Sequence, residues 1–142
     1  MLQKKHKPGP DPYLLRFDQI GDAASGFITS TQQAANLPFA VKRIFWTYDT
    51  PTEKSRGGHA NKLTQEIMVV VAGGVEVETE TLTGIKENFR LNDTNTGLYI
   101  PANCWLNIRL QPGTILLCLA STDFDPTDYI RDYDQFRRLQ TR

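Results

Sequence analysis

The sequence predicts an all-β fold, a sandwich, jelly roll or barrel, followed by one α-helix near the C-terminal end. Short segments rich in Val, Ile, Thr, Phe and Trp recur along the chain, separated by clusters of Gly, Pro, Asn and Asp, which is typical of strands and their turns. Many short strands at this spacing are typical of sandwiches and barrels. The predicted strands are residues 13–17, 27–30, 39–47, 59–61, 65–72, 75–81, 87–91, 98–100, 105–110 and 114–120.

Two neighbouring strands indicate which of their faces are buried. In residues 75–78 valine alternates with glutamate, so we expect the valines to point inward and the glutamates to face solvent. Residues 67–71 are apolar on both faces, and we expect the barrel interior to cover one face and a second subunit or a helix the other. Gly73 and Gly74 join the two strands with the spacing of a tight primed turn, which predicts a hairpin.

The predicted helix begins after Asp125. Asp125 is a suitable N-cap, Pro126 suits the first helical position, and Asp128 suits the positive end of the helix macrodipole. The apolar residues that follow recur at helical spacing and should form one stripe that docks on the sheet. These residues are Tyr129, Ile130, Tyr133 and Phe136.

Length and composition predict one domain over residues 1–142, with residues 1–11 as a flexible arm. The 16 basic and 16 acidic side chains cancel, which argues against a nucleic-acid partner. No apolar run approaches the roughly 20 residues that cross a bilayer, so no membrane insertion is expected. The first residues lack the apolar core of a signal peptide, so we expect a cytoplasmic protein. Cys104 and Cys118 lie in apolar strand segments and are interpreted as packing residues.

The segment 56–62, which reads RGGHANK, carries the candidate chemistry. Alternate residues of a strand share a face, so Gly57, His59 and Asn61 should point together, the glycine leaving room for a ligand. The segment resembles a cupin site, where a His-x-His pair, a carboxylate about four residues on and a later histidine hold a metal. Here the matching positions are His59, Asn61 and Gln65, and the later strand has no histidine. Amides are poor metal ligands, so we expect a metal-free site for an organic substrate.

Several short motifs, in the same order along residues 39–136, resemble the WxcM-like cupins. These are dTDP-4-keto-6-deoxyglucose 3,4-ketoisomerases that feed bacterial 3-amino-3,6-dideoxyhexose synthesis. The motifs are FAVKRI at 39–44, RGxHAxK at 56–62, GLYIP at 97–101, Trp105, LAS at 119–121 and TDYIRxYDxF at 127–136. The resemblance implies a cupin-type double-stranded β-helix (jelly roll) without metal or other cofactor. It also implies a homodimer, often with exchanged strands, and a dTDP-linked keto-deoxyhexose as ligand in the barrel.

The isomerisation that the resemblance implies defines the candidate catalytic residues. The enzyme must remove the C3 proton, stabilise an enediolate, protonate C4 and exchange a proton between the two oxygens. His59 is the expected base, because an imidazole with an ordinary pKa near ~6.5 can accept a proton at neutral pH. Asn61 cannot accept one, but its amide could donate a hydrogen bond to the C4 oxygen or orient His59. Tyr99, or a water, is the expected relay between the oxygens.

The substrate-binding candidates are cations and a flat apolar side chain. Arg43 and Arg56 are expected to bind the pyrophosphate as forked donors, and Lys62 as a weaker point charge. Gln65 is expected to form a polar wall at the position of the cupin carboxylate. Trp105 is expected either to stack on the thymine or sugar, or to fill the core.

Two departures from the family pattern keep a second function open. Active members typically read His-Ala-His where this chain has Asn61 in the second position, and many have His or Arg where this chain has Leu106. The main hypothesis is a metal-independent ketoisomerase that runs on one histidine. The alternative is a catalytically degenerate cupin that binds a dTDP-sugar or another carbohydrate. A metal-dependent dioxygenase and a His/Asp-dyad epimerase are disfavoured, because the ligand set and the dyad spacing are absent.

Overall fold

The structure is a computed structural model that describes residues 8–140, so most of the predicted flexible arm, residues 1–7, lies outside the described residues. The described chain is almost entirely strand, with one short α-helix, α1 (Tyr133–Leu139). The strands are β1 (Tyr13–Arg16), β2 (Asp18–Asp22), β3 (Gly26–Ser30), β4 (Arg43–Thr47), β5 (Arg56–Asn61), β6 (Glu66–Ala72), β7 (Val75–Glu80), β8 (Lys86–Leu91), β9 (Thr96–Ile100), β10 (Trp105–Leu110), β11 (Ile115–Ala120) and β12 (Tyr129–Ile130).

Two five-stranded sheets face each other and form the jelly roll. Their strand orders are β1-β9-β6-β11-β4 and β12-β5-β10-β7-β8, and the neighbouring strands are antiparallel. Strands β2 and β3 form a separate two-stranded hairpin. The prediction of a cupin-type jelly roll with a C-terminal helix is confirmed.

The main core fills the space between the two sheets. On β7, Val75 and Val77 are buried while Glu76 and Glu78 are exposed, so the alternation predicted from the sequence is confirmed. The inward side chains of both sheets form one cluster. Its buried members are Met68, Val70, Val75, Val77, Leu91, Leu98, Ile100, Cys104, Leu106, Ile108, Leu110, Leu116 and Cys118.

The predicted hairpin of β6 and β7 is wrong, because the two strands lie in different sheets. Gly73 and Gly74 instead carry the chain from one sheet to the other. Gly73 has a φ of 83°, and a Cβ there would lie 2.4 Å from the hydroxyl of Thr114. That hydroxyl accepts from the Gly74 N–H and donates to the Gly74 carbonyl. Pairing of β6 with β9 and β11 decides the topology, which the two-residue spacing alone does not predict.

The second apolar face of β6 is covered by the N-terminal part of the same chain. Ile67 and Val69 pack in a second cluster, the outer cluster, whose other buried members are Leu15, Phe17, Leu37, Phe39, Tyr99 and Leu119. The prediction that a second subunit or a helix covers this face is therefore corrected. The sequence showed that a cover was needed, but the covering segment lies about 30 to 50 residues away in sequence and carries no local signal for this contact.

The C-terminal segment folds differently from the single predicted helix. Asp125 caps a short 3-10 turn, Pro126–Asp128, and the chain then extends as β12 before α1 begins with Asp132 as its N-cap. Tyr129 and Ile130 pair with β5 instead of continuing the helix, so strand pairing outweighs the helical spacing of the apolar residues. Within residues 8–140, no helix is long and apolar enough to span a bilayer.

Candidate active site

A cavity of about 380 Å³ lies between the two sheets, and residues from both sheets line it. Its apolar wall comes from the inward faces of β4, β6, β10 and β11. Its polar residues come mainly from β5, from the first residue of β6 and from the segment that follows the 3-10 turn. They are Thr47, Ser55, Arg56, His59, Glu66, Tyr129 and Arg131. A concave pocket on which polar groups from several elements converge is typical of ligand sites.

Glycines position His59 on the cavity wall. Gly57 and Gly58 have φ values of 82° and 69°, and the pairing of β5 with β10 shifts register opposite them, between Leu106 and Asn107. A Cβ on Gly57 would lie 2.7 Å from the Leu106 carbonyl oxygen, so no other residue fits this close approach. His59 therefore points into the cavity, as the sequence predicted for this strand.

The surroundings of His59 favour its neutral form. Burial lowers the pKa of His59, Arg131 lowers it further, and the Gly57 backbone and Asp128 act in the opposite direction. The edge of the imidazole meets the Tyr129 ring at 5.0 Å between centroids, and the Arg131 guanidinium lies 4.5 Å from the centre of the same ring. A neutral imidazole held in a partly apolar cavity can accept a proton near neutral pH.

Glu66 is a second titratable group in the cavity, and the sequence analysis missed it. It is only 4% exposed, and burial raises its pKa from 4.5 to about 7, against the influence of Arg43 and with a smaller addition from Asp128. Across residues 8–140, no cationic nitrogen lies within ion-pair distance of its carboxyl group. The sequence did contain a signal for Glu66. It alternates with Met68 and Val70 on the inward face of β6, so a carboxylate stands in a strand that is otherwise apolar on both faces.

Three arginines lie around the cavity. Arg56 and Arg131 line it and remain exposed, while the Arg43 guanidinium packs over Phe45 at 5.2 Å and Phe124 at 5.5 Å. Arg43 lies on the same face of β4 as the cavity-lining Phe45.

Lys62, also predicted to bind substrate, is exposed and lies outside the residues that line the cavity. Arg131 was not predicted, because its segment was interpreted as part of the C-terminal helix.

Asn61 is buried beside the cavity and binds a carboxylate. Its Nδ2 donates to Asp128 Oδ2 at 3.0 Å, and the same carboxylate accepts from the Leu63 N–H, the Thr64 N–H and the Thr64 hydroxyl. Burial would raise the pKa of Asp128, but these hydrogen bonds outweigh it and lower the pKa. The amide of Asn61 is therefore used in this network and is absent from the cavity lining.

Tyr99 and Gln65 lie on the opposite face of their sheet from the cavity, which corrects their predicted positions as relay and polar wall. The Tyr99 hydroxyl donates to Gln65 Oε1 at 2.6 Å, and its ring stacks on Tyr13 at 4.6 Å. Gln65 shares the strand face of Ile67, which packs in the outer cluster. The cavity position that the cupin pattern assigned to Gln65 belongs to Glu66, one residue later.

Trp105 faces outward from β10 and fills the core beneath α1. Its ring centroid lies 5.2 Å from that of Tyr133 and 5.7 Å from that of Phe136. Of the two roles predicted for Trp105, this position matches core filling and does not place the ring in the cavity. The neighbouring Leu106 points inward and lines the cavity instead.

Comparison with known proteins identifies the family. Residues 10–141 match the family described as FdtA, WxcM-like, C-terminal. The chain belongs to this family. It is 31% identical over 126 residues to the TDP-4-oxo-6-deoxy-α-D-glucose-3,4-oxoisomerase of Aneurinibacillus thermoaerophilus, covering 88% of this chain and 89% of that enzyme.

Solved structures of 3,4-ketoisomerases share the fold over more than 90% of this chain. A 3,4-ketoisomerase from Helicobacter canadensis is 33% identical, with a TM-score of 0.84 over 94% of this chain and 98% of that one. The sugar 3,4-ketoisomerase QdtA from Thermoanaerobacterium thermosaccharolyticum, in complex with TDP, is 29% identical, with a TM-score of 0.85 over 91% and 93%. A histidine-to-asparagine mutant of QdtA is known in complex with TDP-4-keto-6-deoxyglucose.

The residues that the structure describes offer little for a metal ion. In the part of the chain that the structure describes, no group of three or more His, Cys, Asp or Glu side chains is placed to hold one. Cys118 lines the cavity, but burial raises its pKa well above its ordinary value, so the thiol stays protonated and is a poor metal ligand or nucleophile.

Proposed function

We propose that this protein is a metal-independent sugar-nucleotide 3,4-ketoisomerase that acts on a dTDP-linked 4-keto-6-deoxyhexose in bacterial deoxyamino sugar synthesis. The observation that carries the proposal is a neutral imidazole, His59, in a cavity of about 380 Å³ inside a jelly roll of the WxcM-like family. The named relatives isomerise or bind sugars of this class.

His59 acts as the general base on the sugar. The C3 proton lies next to the C4 carbonyl, so removing it gives an enediolate whose negative charge spreads onto oxygen. His59 takes this proton and returns it to C4, which moves the carbonyl from C4 to C3. A positioned base of this kind typically contributes ~10²–10⁴-fold to the rate.

The arginines around the cavity bind the nucleotide part. A TDP-sugar presents a pyrophosphate, which the planar fork of an arginine matches with two parallel hydrogen bonds. Arg56 and Arg131 are exposed where they line the cavity, so they are free to contact such a group at its entrance. Arg43 is not among the residues that line the cavity, but it adds positive charge nearby, where its guanidinium packs over the cavity-lining Phe45.

A binding protein without catalysis is the second candidate. The observation that favours it is the Asn61–Asp128 hydrogen bond, together with the apolar Leu106 on the cavity wall. Together they leave His59 as the only imidazole among the described residues that line the cavity. The QdtA mutant that carries asparagine in place of one histidine still holds the keto sugar, so that replacement leaves sugar binding possible in QdtA.

The protein acts as a homodimer. Two apolar surfaces are exposed: the β2–β3 hairpin, with Ile20, Phe27 and Ile28, and the outer face of the edge strand β4, with Ile44 and Trp46. Exposed apolar patches and free strand edges mark interaction surfaces. Light scattering at micromolar concentration should give the dimer mass, and Ile28→Asp should shift it toward the monomer. Ile85→Asp, at an exposed isoleucine between β7 and β8 of the other sheet, should not.

The location and the cofactor requirement complete the proposal. Both cysteines are free and buried, which suits a reducing cytoplasm.

Without a metal in the mechanism, turnover should survive exhaustive chelation. One Zn, Fe or Mn per chain in elemental analysis of active protein would contradict this expectation.

Incubation with dTDP-4-keto-6-deoxyglucose in deuterated buffer, followed by NMR, tests the function. The expected result is a 3-keto product that carries deuterium at C4 in the molecules where the protonated His59 exchanges with solvent before it returns the proton. His59→Asn should abolish product while TDP binding, measured by calorimetry, stays nearly unchanged. Wild-type protein that binds the TDP-sugar but never exchanges the C3 proton would favour the binding function instead.

A further inference from the structure

The proposed isomerisation moves two protons, and one base accounts for only one of them. The carbon-bound proton leaves C3 and arrives at C4, while a second proton leaves the C3 hydroxyl and arrives at the C4 oxygen. His59 can carry the first. The side chain that the sequence suggested as a relay for the second, Tyr99, faces the outer cluster. Asn61, suggested as a hydrogen-bond donor to the C4 oxygen, is bonded to Asp128 instead.

Glu66 is the remaining carboxyl group in the cavity wall. Among the described residues that line the cavity, the arginines have donors but no acceptor, the Cys118 thiol is held in its protonated form by burial, and Tyr129 lies on the same sheet as His59. Glu66 projects from the first position of β6 into the same cavity that holds His59 on the facing sheet. A substrate lodged between the two sheets would therefore have the His59 imidazole on one side and the Glu66 carboxyl group on the other.

We propose that Glu66 is the second proton-transfer group of the site, giving a proton to the C4 oxygen and taking one from the C3 hydroxyl. The inference rests on the proposed ketoisomerase function and names the residue that completes it. Glu66 is thereby a catalytic residue of the reaction. It supplies the proton transfer that a second histidine, replaced here by Asn61, would otherwise supply.

The step balances in atoms and charge. His59 takes the C3 proton, the C3–H electron pair forms the C3=C4 bond, and the carbonyl pair moves to the C4 oxygen, which takes the proton of the neutral Glu66 carboxyl group. The Glu66 carboxylate then takes the C3 hydroxyl proton, whose O–H pair forms the C3=O bond. The C3=C4 pair accepts the proton from His59 at C4. Both residues end in their starting forms, with no oxidant, reductant or metal consumed.

The charges around Glu66 suit this cycle. Arg43 on β4 favours its carboxylate, while burial and Asp128 favour its neutral form, and Cys118 on the adjacent β11 stays neutral. Across the cavity stand His59, Arg56 and Arg131. With its pKa raised to about 7, the carboxyl group can give and regain a proton near neutral pH at small cost.

Glu66→Gln is the central test, because glutamine keeps the shape and hydrogen-bonding capacity of the neutral acid but cannot exchange a proton. We expect turnover to fall by ~10²–10⁴-fold, with TDP affinity nearly unchanged. The ratio of deuterium in recovered substrate to product formed should be higher in the variant than in the wild type. The reason is that His59 can still remove the C3 proton and return one to C3, while the step that completes the product is slow. In the wild type kcat should decline as pH rises above about 7, and this decline should vanish in Glu66→Gln and persist, with partial activity, in Glu66→Asp.

Glu80→Gln is the matched control. Glu80 is a buried carboxylate outside the barrel, bonded to Tyr133 and Gln140, so its exchange should leave both kcat and the pH profile unchanged. Glu66→Gln with near wild-type turnover and the same decline at high pH would overturn the role of Glu66 alone. Wild-type protein without turnover or C3 exchange would overturn the proposed function, and the role of Glu66 with it.

Discussion

Two buried carboxyl groups, Asp128 and Glu66, lie close enough to influence each other and yet titrate in opposite directions. Asp128 accepts hydrogen bonds from Asn61, Leu63 and Thr64, which hold its pKa low. For Glu66, the charge that favours the carboxylate comes from Arg43, but the two form no ion pair among the described residues. Burial outweighs this charge and raises the pKa of Glu66 to about 7. Burial alone therefore does not decide the charge of a carboxyl group. The donors around it do.

The contrast separates a structural anion from a proton carrier. A carboxylate surrounded by donors is stabilised in one form, so it fixes the geometry of the segments that it joins. A carboxyl group without donors has two forms of similar free energy near neutral pH, which is what proton transfer requires.

Removing the structural anion should have the largest effect. Asp128→Ala leaves the donors of Asn61, Leu63 and Thr64 without their acceptor, so the free energy of unfolding should fall by about 4 kcal/mol. Urea unfolding at pH 7 measures this loss. Asp125→Ala, in the same turn but exposed and bonded only to Thr127, should cost far less, and equal losses in the two variants would contradict the assignment.

Removing the buried charge of Glu66 should stabilise the protein, and only at higher pH. Because its pKa rises from 4.5 in the unfolded chain to about 7 in the folded chain, the wild type is relatively most stable below about pH 4.5 and loses stability as pH rises to about 7. Glu66→Gln should therefore gain up to about 3 kcal/mol at pH 8 and little at pH 4.5. Unfolding of both proteins at the two pH values checks the sign.

The Glu80→Gln variant should respond in the other direction. Although burial acts to raise the pKa of Glu80, hydrogen bonds from Tyr133 and Gln140 lower it overall. Glu80 therefore contributes stability above its unfolded pKa, and this stability is lost on acidification.

For the Glu66→Gln prediction, the contradicting outcome is a variant that is less stable than the wild type at pH 8. That result would show that hydrogen bonds stabilise the Glu66 carboxylate as they do that of Asp128.

The smallest effect is expected at Asn61. Asn61→His restores the paired imidazoles of the family pattern, but the new ring would lie beside Asp128, which Asn61 now contacts. If Glu66 already carries the second proton, kcat should change by less than roughly tenfold, or ~1.4 kcal/mol. Steady-state kinetics with dTDP-4-keto-6-deoxyglucose measures the change. A rise from near zero to ready turnover would instead identify the wild type as a binding protein.

The sequence predicted the fold and the central residue of the site, but not the residues around it. Periodicity located nearly all the strands, and the motif around His59 placed it on an inward face, because both depend on neighbours in sequence. Tyr129 and Arg131 were missed because β12 exists only through its pairing with β5, some 70 residues earlier. Local helical spacing gave no sign of that pairing.

Gln65 and Glu66 illustrate a different limit. Strand periodicity is two residues, so an error of one position exchanges the two faces completely. The alternation that begins at His59 does not continue unbroken into β6, because β5 ends at Asn61 and β6 begins at Glu66. The cupin pattern therefore pointed to Gln65, whereas the cavity receives the next side chain.

The docking of β12 on β5 also sets when the site becomes complete during synthesis. The hydrogen bond between Asn61 and Asp128 spans 67 residues, and Tyr129 and Arg131 enter the cavity wall only with that segment. On the ribosome, His59 emerges several seconds before these partners at ~5–20 residues per second. The contact between Asn61 and Asp128 cannot form until both segments have been synthesised. A nascent chain therefore holds its base in an unfinished pocket, and competence to bind or turn over sugar arrives with the last strand.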